Sequence, residues 1–283
     1  MIDSHNIAET VARALAEDVG TGDLSAALIP ADATANARVI SRQSAVICGM
    51  AWFEEVFRQL DSSVTLVWKI QEGEKVAADQ KICALRGPAR ALLTGERTAL
   101  NFLQTLSATA NAANRYVQAI EGTGAVILDT RKTLPGLRAA QKYAVTRGGG
   151  KNHRMGLYDA ILIKENHIAA AGSLQAVVRA ARTRHAHVRV EVEVEVETLA
   201  QIEEALAGGA DMILLDNFSL DDLRLAVKLT ASRARLEASG GVSLETVRAI
   251  AQTGVDYISV GALTKEIAAV DLSMRVEING AST

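Results

Sequence analysis

From residue 124 onward, short apolar runs alternate with longer amphipathic ones. AVILD (125–129), AILI (160–163), VRVEVEV (188–194), DMILL (211–215), RLEAS (235–239) and DYISV (256–260) each have the length of a buried strand. Between them, residues 169–183, 199–207, 220–232 and 244–253 carry helical spacing. Repeated βα units predict an α/β fold with a parallel sheet covered by helices. No second strand-rich half follows the sixth run, so the sheet is expected to close into a barrel. The first third of the chain has a different rhythm. Residues 5–18 predict an amphipathic helix with Ile7, Val11, Ala14 and Leu15 on one face. A strand-like run at 35–47, a short helix at 52–60 and two β-rich runs joined by a glycine turn within 64–85 follow. That last segment resembles the hairpin of a biotinyl or lipoyl carrier, but no lysine sits at a tight turn, and a structural hairpin is expected. Pro88 opens a long helical stretch carrying Leu92, Leu93, Leu100, Leu103 and Leu106, which marks the domain junction.

The polar residues make sense once the strands are placed. The runs end in DTRKT, KENH, EVEVET, LDNF, ASGG and SVGA, and a parallel barrel gathers all its strand ends on one rim. Between Thr130 and Tyr158 stand Arg131, Lys132, Arg138, Lys142, Arg147, Lys151 and Arg154 with no acidic residue among them, on a chain of net charge −3. A solvated helix face would interleave the two signs. Here the cations surround Pro135, Gly136 and the triple glycine 148–150, where backbone approaches a ligand closely. A small, multiply charged anion is the expected ligand.

Several residues carry competing readings. Arg97, in GERTALN, either snorkels to solvent or delivers a cation to an anion from outside the main domain. Glu191, Glu193 and Glu195 alternate onto one strand face. Glu191 is expected to pair with a Lys or Arg inside the barrel. Glu195, nearest the rim, is expected to meet Mg²⁺ carried on a phosphorylated substrate, and Asp216, at the end of the fourth run, is the other acid that stands out. The turns Ser239-Gly240-Gly241 and Val260-Gly261-Ala262 follow the last two strands and are expected to offer N–H groups, with helix N-termini behind them, to a phosphate. Lys164 fits either a Schiff-base lysine or an anion contact, and its cationic surroundings favour the contact. His153, between Asn152 and Arg154, is the histidine singled out; His167, His185 and His187 are read as ordinary. Asp18 and Asp23, beside Gly20 and Gly22, are read as a helix-ending turn rather than a metal site.

Composition narrows the setting. A chain of 283 residues, 49% hydrophobic, can bury one large or two ordinary cores. Two cysteines give neither a disulfide framework nor metal-ligand spacing, so a reducing compartment, the cytoplasm, is expected. Lys plus Arg at 30 against Asp plus Glu at 33 speaks against nucleic acid. The N-terminal stretch has no uninterrupted apolar core and is not expected to be a signal peptide, and no window suits a membrane span.

The strings EDVGTGDLS, GERTALN, DTRKTLPGLRAAQKYAVTRGGGKNHRMGLYDAILIKENHI, VEVEVET, GADMILLDNF, ASGGV and GVDYISVGALT resemble the quinolinate phosphoribosyltransferase family over nearly the whole chain. Ser25 and Gly241 depart from the family's usual Thr and Asn. The resemblance implies an N-terminal α/β sandwich, residues 1–107 joined by 271–283, and an open TIM-like barrel over 108–270. It also implies transfer of phosphoribose from 5-phosphoribosyl 1-diphosphate to quinolinate, with loss of CO₂ and pyrophosphate, giving nicotinate mononucleotide for NAD synthesis. By matching positions, Arg131, His153, Arg154 and Lys164 would hold the quinolinate carboxylates. Arg97 would enter from a neighbouring subunit of a homodimer or dimer-based hexamer. Thr130 and Lys132 would face the pyrophosphate, Glu195 and Asp216 the ribose and magnesium, and residues 239–241 and 260–262 the phosphate. Rival readings are a sister phosphoribosyltransferase with another acceptor, a Schiff-base lyase using Lys164, and a non-catalytic sensor of the sugar diphosphate.

Overall fold

In a computed structural model of the chain, residues 3–184 and 192–279 are described. The stretch 185–191 lies outside them, so the readings of His185, His187 and Glu191 do too. Contacts divide the chain into two compact units, one of residues 1–112, 134–148 and 266–283, the other of residues 113–133 and 149–265.

In the first unit, α1 (Ser4–Val19) starts where the Asp3 side chain accepts the His5 N–H, and it buries Val11 and Leu15. The strand-like run at 35–47 is two strands, β1 (Thr34–Ser41) and β2 (Ala45–Val46), followed by α2 (Met50–Leu60). The expected hairpin at 64–85 is likewise three strands, β3 (Thr65–Trp68), β4 (Lys75–Val76) and β5 (Lys81–Pro88). Here β3 and β5 pair with each other while β4 leaves to pair with β2. Glu72 explains the excursion: its carboxylate accepts the N–H groups of Gly49 (2.7 Å) and Met50 (3.1 Å), capping α2 and drawing the 69–76 segment to β2. Pro88 closes β5 rather than opening a helix, and α3 (Ala89–Ala119) begins one residue later. Near the C-terminus β12 (Leu272–Ile278) pairs antiparallel with β1, giving the sheet order β12-β1-β5-β3. The core beneath it holds Trp52, Phe53, Phe57, Leu92, Leu100 and Leu103.

The helix α4 (Arg138–Arg147) belongs to this first unit. Its Ala140 and Ala144 join the same core, and Tyr143 lies 5.8 Å from Trp52, ring centre to ring centre. A division at 107/108 alone would have left this segment in the barrel.

The second unit contains six parallel strands, β6 (Val126–Leu128), β7 (Ile161–Ile163), β8 (Val192–Val196), β9 (Met212–Asp216), β10 (Arg235–Ser239) and β11 (Tyr257–Ser259). Each overlaps one of the six apolar runs of the sequence; β8 covers 192–194 of the run 188–194 and continues to Val196, residues 188–191 lying outside the described ones. Their order is β6-β11-β10-β9-β8-β7, so the first strand pairs with the last while β6 and β7 form the two edges. Among the described residues no ladder joins those edges; Lys151 instead bridges to Leu128 alongside β6. The helices are α5 (Glu165–Ala171), α6 (Leu174–Arg184), α7 (Leu199–Gly208), α8 (Leu220–Thr230), α9 (Val247–Ala251) and α10 (Ala262–Lys265). The single helix expected at 169–183 is split because Gly172 ends α5 in the left-handed conformation, at φ +82°. No helix among the described residues is long and apolar enough to cross a membrane.

Candidate active site

Because β6 to β11 are parallel, their C-terminal ends share one rim of the second unit, and the rim carries most of the residues picked from sequence. Lys164 directly follows β7, and its Nζ forms a close ion pair with Glu195 Oε2 on the neighbouring β8. The register places Ile163 opposite Val194, so the pair spans adjacent strand ends. On the next strand Asp216 is the last residue, half-buried, and its Oδ2 accepts from Asn217 Nδ2 at 2.9 Å. Asn217 has φ +56° and donates its N–H to Ser239 O at 2.9 Å, tying the end of β9 to the end of β10.

The two glycine turns have distinct constraints. Gly240 has φ +92°, and a Cβ there would press on the Asn217 side chain, 2.6 Å from its Cγ. Gly241, φ +58°, opens onto free space. Helix α9 begins only at Val247, so the expected helix N-terminus does not stand directly behind this turn; the backbone groups of 239–241 act on their own. Behind the other turn α10 does begin at once, at Ala262. A Cβ on Gly261 would meet Lys132 Cδ at 3.2 Å, with Thr130 Oγ1 at 3.8 Å. Thr130 Oγ1 accepts the Lys132 N–H (3.1 Å), and Thr264 Oγ1 donates to Lys132 O (2.7 Å). The loop after β6 and the turn after β11 therefore form one small cradle with the Lys132 amine beside it.

Arg154 stands within electrostatic reach of Arg131. Arg154 is half-buried and donates to Ala160 O at 3.2 Å; burial first, and then the neighbouring Arg131 charge, hold its guanidinium below the usual arginine range. The Arg131 Nε is buried without a hydrogen-bond partner. Two adjacent guanidinium groups, one with an unused buried donor, are poised to bind an anion.

His153 is placed otherwise than expected. Its Nδ1 accepts the Arg154 N–H at 2.7 Å, and its Nε2 lies 2.8 Å from Glu193 Oε2 and 3.5 Å from Glu237 Oε2. The ring therefore faces acids inside the barrel rather than an open carboxylate pocket. The buried Asp129 accepts the His153 N–H at 2.9 Å. Desolvation pushes the Glu193 carboxyl up to about 7 and that of Glu237 up to about 8, the mutual repulsion of the two acids adding to the second. Ser259 Oγ donates to Glu237 Oε1. Sequence reading put Glu193 on the inward strand face without a partner of its own and passed over Glu237, the acid in the middle of RLEAS; its buried strand position was the available signal.

Three cations of the basic run lie elsewhere. Arg138, Lys142 and Arg147 are on α4 in the first unit, where Lys142 is fully buried and Arg147 sits 4.8 Å above the Tyr143 ring. Their spacing in sequence put them with the rim cations; the fold does not keep them in one unit. Arg97 is also in the first unit, exposed on α3, with no side-chain hydrogen bond or ion pair among the described residues. Beside it in sequence, Thr98 donates to Asp18 (3.0 Å) and Thr94 to Asp23 (2.9 Å), while Asp23 Oδ1 also accepts the N–H groups of Ser25 and Ala26. The two acids thus brace a turn against α3, as the structural reading held.

A rim with a lysine cradle, two carboxylates on adjacent strands and two glycine turns, with Arg131 in the loop after β6, suits a polyanion joined to a sugar. Models of the two domains of quinolinate phosphoribosyl transferase match the chain, the N-terminal one over residues 23–107 and the C-terminal one over 109–275. The chain belongs to the quinolinate phosphoribosyltransferase family. A probable nicotinate-nucleotide pyrophosphorylase (carboxylating) of Bacillus subtilis is 43% identical over 266 residues, covering 94% of this chain and 92% of that protein. The enzyme of that name from Mycobacterium leprae is 41% identical, covering 94% and 95%. A solved nicotinate-nucleotide pyrophosphorylase from Francisella tularensis superposes with a TM-score of 0.95 at 44% identity, covering 98% of each chain.

Proposed function

We propose that this quinolinate phosphoribosyltransferase joins quinolinate to 5-phosphoribosyl 1-diphosphate and releases pyrophosphate and CO₂, with its residues dividing the work as follows. Arg131 and Arg154 hold the quinolinate carboxylates, with Lys164 at the adjacent strand end. The unpartnered Nε of Arg131 beside the Arg154 charge is the observation that carries this assignment. Thr130 and Lys132 face the pyrophosphate, Glu195 and Asp216 the ribose, and the turns 239–241 and 260–262 the phosphate ester.

The pyridine nitrogen forms its bond to the ribose C1 as the C1–O bond breaks, with the electron pair leaving on pyrophosphate. Positive charge grows on the ribose in the transition state, where fixed carboxylates at Glu195 and Asp216 stabilise it. The alkylated ring is then cationic next to the C2 carboxylate. Loss of CO₂ leaves an electron pair at C2 that the ring nitrogen stabilises, and a proton from solvent completes nicotinate mononucleotide. Holding both reactants in register is the main contribution of the cationic rim, an effect of about 7–11 kcal/mol in favourable cases.

Magnesium fits this donor set as a cation that arrives with the sugar diphosphate. Glu195 and Asp216 provide two carboxylates on adjacent strands, and no three-residue ligand cluster includes them among the described residues. Mg²⁺ takes one or two carboxylates when phosphate oxygens and waters complete its shell. When bound it would supply charge neutralisation for the departing pyrophosphate. The expected assay result is nicotinate mononucleotide, pyrophosphate and CO₂ in equal amounts, abolished by a chelator and restored by Mg²⁺. Metal-independent turnover would remove the cation from the scheme.

We also infer a homodimer, or a hexamer built from dimers, in which Arg97 enters the partner's quinolinate pocket; the free, exposed Arg97 side chain supports this. Mixing Arg97→Ala with Lys164→Ala protein should restore about a quarter of wild-type activity, since random exchange makes about half the dimers mixed and each mixed dimer has one intact site. No recovery after verified subunit exchange would mean each chain completes its own pocket. The free buried thiols of Cys48 and Cys83 fit a cytoplasmic enzyme.

A further inference from the structure

We propose that Glu193 and Glu237 are positioning residues for the reaction above: with Ser259 they lock the His153 ring, and through it the backbone carrying Arg154, at the open edge of the barrel. The inference rests on the quinolinate reading of that site. The segment 151–154 needs such an anchor. It runs along β6, at the edge where no strand ladder continues to β7 among the described residues, and its ladder contact is the single bridge of Lys151 to Leu128. His153 is fastened through its N–H to Asp129 and through its ring between Arg154 and the acids. An Nδ1 that accepts a backbone N–H leaves Nε2 to carry the ring proton, and that proton points at Glu193.

The acids are built in from two different strands. Glu193 lies on β8 and Glu237 on β10, at 2% and 0% exposure. Ligand atoms of His153, Glu193 and Glu237 all lie within 4.8 Å of one another. Glu237 Oε2 lies 3.5 Å from the His153 Nε2 that Glu193 Oε2 meets at 2.8 Å, so both acids face the same ring nitrogen. The resulting chain runs from the Ser259 hydroxyl to Glu237, and from the His153 Nε2–H to Glu193 with Glu237 beside it. Apolar side chains would fill this space at lower cost in stability. What the polar chain adds is a fixed ring orientation two bonds from the Arg154 peptide, in a site where displacement of about 1 Å can cost on the order of 100-fold in rate.

The chain distinguishes substitutions of similar size. In Glu237→Gln the side chain keeps its shape, the amide oxygen still accepts from Ser259 and the amide N–H has the facing Glu193 to donate to, so quinolinate kcat/KM should stay within about threefold of wild type. Glu237→Leu removes both and should lower quinolinate kcat/KM by about 100-fold, chiefly through KM, while the KM for 5-phosphoribosyl 1-diphosphate stays within about twofold. Ser259→Ala, the milder variant, should raise the quinolinate KM by roughly 3- to 10-fold and serves if the leucine variant does not fold. Equal effects on both substrates, a glutamine variant as impaired as the leucine one, or an unchanged quinolinate KM in Ser259→Ala would overturn the proposal. Wild-type protein that does not turn over quinolinate would instead remove the functional reading beneath it.

Discussion

Arg131→Ala should raise the quinolinate KM and depress kcat together, lowering kcat/KM by about 30- to 5,000-fold, the range for truncating one member of a buried, charge-assisted contact worth about 2–5 kcal/mol. The size follows from how Arg131 is held. Arg131 keeps a buried Nε without a partner, and its charge already strains the proton affinity of Arg154. An incoming dicarboxylate relieves both penalties at once, which is how a pocket converts binding into orientation. Removing Arg131 relieves them in the free protein instead, so the variant should melt no lower than wild type, and slightly higher if repulsion dominates. Arg131→Lys should recover little, because an ammonium cannot reproduce the planar fork of a guanidinium. Steady-state kinetics in quinolinate with a melting curve on each variant provide the check. Unaltered kinetics in the alanine variant would deprive Arg131 of its role.

Gly240→Ala should be nearly as damaging, through the other substrate. Its backbone sits at φ +92°, which costs a non-glycine residue on the order of 1–3 kcal/mol. The new Cβ would also lie 2.6 Å from Asn217 Cγ and 3.0 Å from Asn217 N. Asn217 cannot yield freely, since its N–H holds Ser239 O and its amide holds Asp216 Oδ2. Displacing it moves Asp216, proposed to face the ribose, and the turn 239–241, proposed to hold the phosphate, in one step. An increase of at least about 30-fold in the KM for 5-phosphoribosyl 1-diphosphate, with a smaller change in quinolinate KM, is expected, equivalent to about 2 kcal/mol. Gly241→Ala is the internal control: φ +58° but no atom within 4 Å, so strain acts without collision and the loss should stay within about tenfold. If the two alanine variants behave alike, the Asn217 contact is not what fixes the turn.

Much of this was legible in the sequence because the signals were local. All six barrel strands overlap the apolar runs, and the strand-end residues Lys164, Glu195, Asp216 and Gly240 reach the rim because parallel strands leave them nowhere else to go. What could not be read was long-range allocation. The cations of 131–154 look continuous in sequence, yet α4 carries Arg138, Lys142 and Arg147 into the first unit, where small residues Ala140 and Ala144 let the helix pack into that core. The pairing of β4 with β2 depends on Glu72 reaching the start of α2, a contact across more than twenty residues that no local pattern announces. The acids under His153 were hidden for the opposite reason. Glu193 is one of three alternating acids and Glu237 a single acid within RLEAS, and only the sheet order brings both to one histidine.

The central claim is that the rim recognises two carboxylates on one ring, and competition between acceptors tests it most directly. Turnover of pyridine-2,3-dicarboxylate against pyridine-3-carboxylate, each with 5-phosphoribosyl 1-diphosphate and Mg²⁺, should favour the dicarboxylate by at least about 100-fold in kcat/KM, the about 3 kcal/mol expected for a second charge-assisted contact. CO₂ should appear in step with nucleotide. Comparable turnover of the monocarboxylate would contradict the claim, because a pocket built around Arg131 and Arg154 for two anionic groups cannot be indifferent to losing one.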